Sequence, residues 1–455
     1  MAEYLKSTCG HAREIVELRN NETRDVAAMN VVGDVSCPNR VVVTGIGMVT
    51  PLGSDRESSW RLLKAGVSAT RWLKPEELGE RIHDTKPSWG SVRFAGAPAC
   101  LGEPCADTQR PEAFSELVIK LALRAAEEAV ADARLDLPRL DLDRIGCVIG
   151  TSKGGLRSFS RAFEQHGHDP NAISPSDWMQ FLPNASAAAV SKHFGLRGPS
   201  LCPVAACATG LASLVRGFEL VRSGTCDVVL AGSSDASLQE SILASFHRMG
   251  VMARQFHQPA TACRPFDRYR NGFLVGEGAA VLVMERYEQA LARGADLYAE
   301  WLSAGLATDP VGITRLDDRA AGLTRLIRDV LRRATLTSAE IDYVNLHGTA
   351  TIQNDLCETT ALKAALGPAA RSVRCSSLKG GIGHLLGAAG SVEMAASLLA
   401  IRDRTIPPTV NLEQCGDGCD LDYTPRHAQT ERIENFLKLS LGFGGHLLAA
   451  VVRAV

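Results

Sequence analysis

The stretch Leu201–Gly224, LCPVAACATGLASLVRGFELVRSG, decides how this chain is read. It opens with small and apolar residues, reaches a lone thiol at Cys207, and then turns helical. Leu211, Leu214, Val215, Phe218 and Val221 recur at three- and four-residue spacing, the pattern of an amphipathic helix. Gly224 stands where such a helix needs a left-handed C-terminal residue. Cys207 is therefore expected at a strand-to-helix corner, close to a helix N-terminus. Unpaired amides and the helix dipole favour an anion there, which stabilises a thiolate and makes the thiol a nucleophile. Ala205, Ala206, Ala208 and Gly210 leave room for a substrate beside the sulfur. Taken alone, the segment is better explained as a small buried cysteine in a core helix. The rest of the chain reverses that.

Working outward, the chain alternates helical patterns with apolar strands. Arg40-VVVTGIGMVTPLGSD begins the folded part. Its Gly45 and Gly47 suggest a dinucleotide loop, but the third glycine of that fingerprint is missing and Pro51 breaks the required helix. Residues 113–134 read as an alanine-rich helix, Ile145-GCVIG as a buried strand, and Ser186–Phe194 as a further helix, with a polar stretch from Thr151-SKGG to about Pro175. Asp227-VVLAG, Pro265-FDRYRNGFLVGEGAAVLVMER, Ile341-DYVNLHG, Arg374-CSSLKGGIGHLLGAAG and Leu437-KLSLGFGGHLLAAVV continue the alternation, so the class is α/β throughout. There is a faint internal echo. Val373–Ile401 repeats the strand, corner and small-residue helix of Leu201–Val221, with Lys379 and His384 at its corner. Two similar halves packed together would bring both corners into one site.

Composition sets the bounds. With 455 residues the chain exceeds one ordinary core, and two halves are expected: 40–295 and 296–455, after a polar extension over 1–39. That extension has no apolar run for a signal peptide, and its acidic residues argue against a transit peptide; Met29 offers an alternative start. The formal net charge of -2 gives no reason to expect a nucleic-acid or anionic-membrane partner. No apolar run nears the roughly 20 residues that span a bilayer. Thirteen scattered cysteines in a chain this long point to reduced thiols and a cytoplasmic location. Cys415 and Cys419 in CGDGC have no matching Cys/His pair, so no metal is expected.

Chemistry gathers in four loops: Cys207; His347 in NLHGTAT; Lys379 and His384 in SLKGGIGH; Phe443 in GFGG. Both histidines sit where a strand meets glycine or small residues, which suits close approach of backbone to a ligand. A cysteine with two imidazoles can hold a thioester and donate two hydrogen bonds to its partner's carbonyl. Thr349 and Thr351 can donate to an amide-containing arm, or serve only strand propensity; Lys379 and Glu393 can pair, or each can be solvated.

The set PVAACATG, PFDRYRNGFLVGEGAAVLV, NLHGTAT, LKGGIGHLLGAAGSVE and LGFGG closely resembles the β-ketoacyl-acyl carrier protein synthases, nearest their elongating type II branch, over about residues 40–455. The resemblance implies a thiolase-like fold, two similar halves in a five-layer α-β-α-β-α arrangement, usually a homodimer. It implies that Cys207 takes an acyl chain from acyl carrier protein as a thioester, with no cofactor and no metal. His347 and His384 match the pair that stabilises the enolate left when a malonyl thioester loses carbon dioxide. Lys379 matches the lysine that organises the site, and Glu393 its ionic partner. The amides of Cys207 and Phe443 match the oxyanion hole, the Phe443 ring a gate, and Thr349 and Thr351 the threonines that hold the phosphopantetheine arm.

Two departures stand out. The family's usual FGFGGTN is here LGFGGHL, read as a rearranged loop around His446. In TSKGG, Lys153 replaces the small or apolar residue that lines the acyl-pocket floor. Beside an alkyl chain a buried lysine is costly, so Lys153 is expected either to bind short or oxygenated acyl groups or to turn aside to water or an acid across the dimer interface. The function implied is decarboxylative condensation of a Cys207-bound acyl group with malonyl-acyl carrier protein. The competing readings are a non-elongating acyltransferase or a specialised-metabolite enzyme of the same fold, and a non-catalytic chain-length partner, which Cys207 and both histidines argue against.

Overall fold

The ten strands that matter for the site run in chain order as β1 (Val41–Val49), β2 (Ile145–Gly150), β3 (Ser200–Leu201), β4 (Val228–Asp235), β5 (Gly278–Arg286), β6 (Ala299–Thr308), β7 (Tyr343–Asn345), β8 (Arg374–Ser376), β9 (Asn435–Gly442) and β10 (His446–Ala454). They form one ten-stranded sheet in the order β8-β7-β9-β10-β6-β1-β5-β4-β2-β3. The computed structural model describes residues 39–78, 93–102, 116–169 and 175–455. The sequence reading of 1–39 as a polar extension therefore falls outside the described residues, except at Asn39.

The sheet carries the internal echo that the sequence only hinted at. In β1–β5 the first strand pairs antiparallel with the fifth, the fifth antiparallel with the fourth, and the rest are parallel. In β6–β10 the same ranks pair in the same senses. The two series meet where Val41, Val42 and Val43 of β1 pair with Trp301, Glu300 and Ala299 of β6. The strands of the first series are largely apolar because both faces are covered; every residue of β1 and of β4 is buried, whereas β6 alternates buried with half-buried positions.

Helices supply the covering layers: α1 (Leu117–Asp132), α2 (Ala185–Phe194), α3 (Thr209–Arg222), α4 (Ala321–Ala334), α5 (Ile352–Leu366) and α6 (Ala389–Asp403). On the outer face of the first series α1 packs on β1, β5 and β4, with α2 behind it. α3 and α6 pack on each other between the two series, and α6 touches both β5 and β9. On the far side α4 lies over β6 and β10, with α5 against it. This is the α-β-α-β-α thiolase-like arrangement. The division into halves at 295 and 296 remains our proposal, supported by the repeated strand order.

The glycines of β1 are explained by packing. A Cβ on Gly47 would lie 1.8 Å from the Ala125 carbonyl oxygen, and one on Gly45 2.3 Å from that of Ala129. α1 therefore rests directly on the strand. One reading needs correction: the polar stretch after Thr151 contains the helices Leu156–His168 and Pro175–Phe181. Leu156, Phe159 and Phe163 recur at three- and four-residue spacing among charged residues, a helical stripe that the sequence reading passed over, and Phe159 and Phe163 lie exposed. Cys415 is exposed and Cys419 buried, and among the described residues no group of three or more His, Cys, Asp or Glu could hold a metal.

Candidate active site

Cys207 lies in the 3₁₀ turn Ala206–Ala208, which runs directly into α3. Ala206 takes a left-handed φ of 48°, a strained value for a residue with a side chain. The other half repeats this turn at Leu386–Ala388 before α6, and Leu386 also has φ 48°. Gly387 thus stands where Cys207 stands in the first half. Lys379 and His384 precede that corner and are not at its tip.

The two corners touch. A Cβ on Gly210 would lie 2.5 Å from the Ser391 amide nitrogen, and one on Gly390 2.5 Å from that of Leu211. Ser233 and Ser391 hydroxyls join across the contact at 2.6 Å. Nucleophile and imidazoles therefore face one cavity of about 380 Å³, whose lining includes Cys207, His347, His384, Thr349, Thr351 and Phe443.

Each group has a definite setting. The His384 Nδ1 accepts from the Leu386 amide at 3.3 Å, so the ring's proton sits on Nε2. The Lys379 Nζ lies 3.4 Å from the His347 Nδ1 and also donates to the His347 carbonyl, which puts that ring's proton on Nε2 as well. The two rings stand edge to face with centroids 5.2 Å apart, and Phe273 packs edge-on to His384 at 4.9 Å. Burial, and then the Lys379 charge, push both imidazoles well below the usual histidine range. At neutral pH both are uncharged N–H donors.

Lys379 pairs with Glu393 at 2.5 Å. The other Glu393 oxygen accepts from Lys438 at 2.7 Å, a fully buried residue of β9 that sequence reasoning missed. In LKLSLG it alternates with leucines like a solvated strand lysine, and only the packing of α6 against β9 covers it. Burial lowers the Lys438 pKa, against the pull of Glu393. Glu358 was missed too. Its carboxylate accepts from the His347 and Gly348 amides at 2.6 and 2.7 Å and so fixes the His347 loop, while burial pushes it up to about 7.

Cys207 departs from the expectation of a resting thiolate. Burial pushes its thiol up to about 11, against the pull of Lys153, Lys379 and a hydrogen bond from the Phe443 amide. The few ångströms of apolar packing around the sulfur outweigh the helix end. Phe443 opens the turn between β9 and β10, where Gly444 and Gly445 take φ of 87° and 79° that side chains avoid. His446 is the first residue of β10, in register with Gly442 and Thr308. Thr349 and Thr351 join hydroxyls at 2.8 Å on the cavity wall. Lys153 is not among the residues lining this cavity. Its ammonium turns to the hydroxyls of Ser152 and Ser237, at 2.7 and 3.2 Å.

Comparison with known proteins shows likeness over nearly the whole chain. The family model described as the N-terminal domain of beta-ketoacyl synthase matches residues 38–290, and that of the C-terminal domain matches 298–413. A putative polyketide beta-ketoacyl synthase 1 of Streptomyces halstedii is 37% identical over 425 residues, covering 91% of this chain and 97% of that one. The 3-oxoacyl-[acyl-carrier-protein] synthase 2 of Staphylococcus aureus is 35% identical over 415 residues, covering 91% and 98%. Among solved structures, a beta-ketoacyl synthase from Burkholderia phymatum superposes with TM-score 0.82 at 32% identity, over 92% of this chain and all (100%) of that one. A type II polyketide ketosynthase, bound to the hexaketide and in complex with its acyl-carrier protein, gives TM-score 0.82 at 30% identity, over 92% and 100%.

Proposed function

The chain belongs to the β-ketoacyl synthase family, an acyltransferase-type condensing enzyme, and from that premise we propose that it joins a Cys207-bound acyl group to malonyl-acyl carrier protein. The Cys207 sulfur attacks an acyl thioester of the carrier, the carrier thiol leaves with the proton, and the acyl group stays on sulfur. The amides of Cys207 and Phe443 stabilise the oxyanion of that step. Malonyl carrier then enters the same cavity with its arm along Thr349 and Thr351. Loss of carbon dioxide leaves an enolate whose oxygen receives the Nε2–H groups of His347 and His384. The enolate carbon attacks the acyl carbon, the Cys207 thiolate departs and takes up a proton from solvent, and a 3-oxoacyl carrier is released. No strong base is required, because carbon dioxide rather than a proton leaves the malonyl carbon.

The observation that carries this reading is the convergence of one thiol and two neutral imidazoles, protonated on Nε2, on one cavity. Intact-mass analysis of Cys207 acylation, with carbon dioxide release from malonyl carrier measured in parallel, tests it. Acylation without carbon dioxide release favours a non-elongating acyltransferase. Condensation by a folded Cys207→Ala protein sinks the mechanism.

Because the Lys153 ammonium turns aside to the Ser152 and Ser237 hydroxyls and does not line the cavity, Lys153 is proposed not to set the acyl group, and fatty-acid and specialised-metabolite chains both remain readings of the same site. Acylation rates across a chain-length series check this: Lys153→Ile should leave the chain-length preference unchanged. Residues Lys379, Glu393 and Lys438 are proposed to act by orienting His347. The enzyme is proposed to work as a homodimer on carrier proteins, without a cofactor.

A further inference from the structure

A second cavity lies beside the catalytic one. It encloses about 410 Å³, and its lining includes Arg254, Phe256, His257, Arg264, Tyr269 and Asn271. Two arginines and a histidine stand in that lining, and no aspartate or glutamate does. Asn271 lines the catalytic cavity as well, so the two share a wall. The Asn271 side-chain oxygen accepts from the Arg254 amide at 3.2 Å, and its Nδ2 donates to the Arg254 carbonyl at 2.6 Å. That two-point clamp fixes the chain carrying Arg254 and Phe256, and Phe256 stacks on Trp72 with centroids 5.4 Å apart.

The polar groups are set as a binding site would need them. Arg254 donates to the His247 carbonyl in the last turn of the helix Glu240–Met249, and among the described residues it forms no ion pair with a carboxylate. Asp267 and Glu413 face Arg264 at 2.9 and 3.8 Å from outside the lining. The Arg264 guanidinium stands 5.9 Å from the centre of the Tyr269 ring, which is 65% exposed. An exposed aromatic ring beside a guanidinium is a platform for a flat base, and guanidinium forks suit phosphate oxygens.

We infer that this cavity takes the nucleotide end of coenzyme A, so that Cys207 accepts its first acyl group from a free coenzyme A thioester as well as from a carrier. The inference rests on Cys207 as the acyl acceptor. Coenzyme A and the carrier present the same phosphopantetheine arm and differ in what the arm hangs from. A folded carrier domain rests on a surface, whereas an adenine nucleotide fits inside a concave site, and small-ligand sites enclose about 300–1,000 Å³. The transfer balances without another reactant. The Cys207 sulfur attacks the thioester carbonyl and forms the new carbon–sulfur bond. The old carbon–sulfur bond breaks, and coenzyme A leaves as a thiol carrying the Cys207 proton.

Intact-mass measurement of Cys207 acylation by acetyl-coenzyme A, run beside acylation by an acetyl carrier, tests this. Both donors should acylate the parent protein. Arg254→Gln and Tyr269→Ala change exposed side chains, and each should slow acylation by dilute acetyl-coenzyme A about tenfold while leaving the carrier rate within about twofold. Calorimetric titration of the Cys207→Ala protein reads the cavity apart from the chemistry. Coenzyme A should bind it at least about tenfold more tightly than pantetheine, which lacks the phosphates and the nucleotide, and adding Arg254→Gln should cancel most of that advantage. A parent protein acylated by the carrier and not by acetyl-coenzyme A overturns the inference. An equal loss with both donors overturns it too, and makes the cavity part of the carrier's docking surface. Failure of the nucleophile reading is separately visible: neither donor would then acylate Cys207, and the titration would still decide the cavity, with equal binding of coenzyme A and pantetheine counting against it.

Discussion

Glu393 holds two ammonium groups, Lys379 and Lys438, in a place none of the three can leave. Replacing it with glutamine strands two buried positive charges, and breaking such an arrangement costs about 3–5 kcal/mol. Lys438→Met removes one charge and keeps the Lys379 pair, so its loss should be clearly smaller. Urea unfolding of both variants checks the order; equal losses would mean that Lys438, not Lys379, carries the ion pair. Both histidines allow a second prediction. Their folded pKa values lie well below 6.5, so they are neutral and competent above it. Malonyl decarboxylation should therefore show no histidine inflection between about pH 6 and 8, and stability tied to these rings should fall as pH drops below 6.5. An inflection near 6.5 would show that an imidazole is charged in the working enzyme. Loops of glycine and small residues drew attention to Cys207, His347, Lys379 and His384, and the resemblance of those motifs to the condensing enzymes decided their reading. Lys438 and Glu358 stayed hidden, since a strand lysine and a helix glutamate look solvated until tertiary packing covers them.

At the scale of elements, the site is two copies of one strand–corner–helix unit. Only faint sequence similarity survives between the copies, because the corner needs just a left-handed residue, small side chains and a close helix approach. Cys and Gly, or Ala and Leu, meet those needs equally. The strand order and the matching φ at Ala206 and Leu386 reveal the repeat where letters do not. Glycine in a helix interior ordinarily costs about 1 kcal/mol relative to alanine. At Gly210 and Gly390 the sign should reverse, because each new Cβ would press on the other helix's backbone at 2.5 Å. Gly210→Ala should lower the thermal midpoint by several degrees and slow Cys207 alkylation as the corner is displaced. A stabilised, fully reactive Gly210→Ala protein would show that α3 and α6 can separate without loss.

Among the described residues, one surface gathers several exposed aromatic side chains. Phe159, Phe163, Trp178 and Met179 are 51–68% exposed and come from the two short helices that follow β2. Trp178 and Phe159 both pack edge-on to Phe181, so the patch is contiguous. Clustered exposed aromatics of this kind mark a protein interface. β3, a strand of two residues, forms the nearby open end of the ten-stranded sheet. The homodimer proposed above would use this face. Phe163→Glu with Trp178→Glu should then give a folded monomer. Each lost aromatic anchor costs about 2 kcal/mol, and because both copies carry both substitutions, four anchors are lost and association should weaken roughly a millionfold if the losses add. Because both side chains are already exposed in the single chain, the thermal midpoint of the monomer should change little. Light scattering across a dilution series measures the outcome. A parent protein that is monomeric at micromolar concentration would point instead to a different subunit on this face. A double variant that stays dimeric would move the interface off this face altogether.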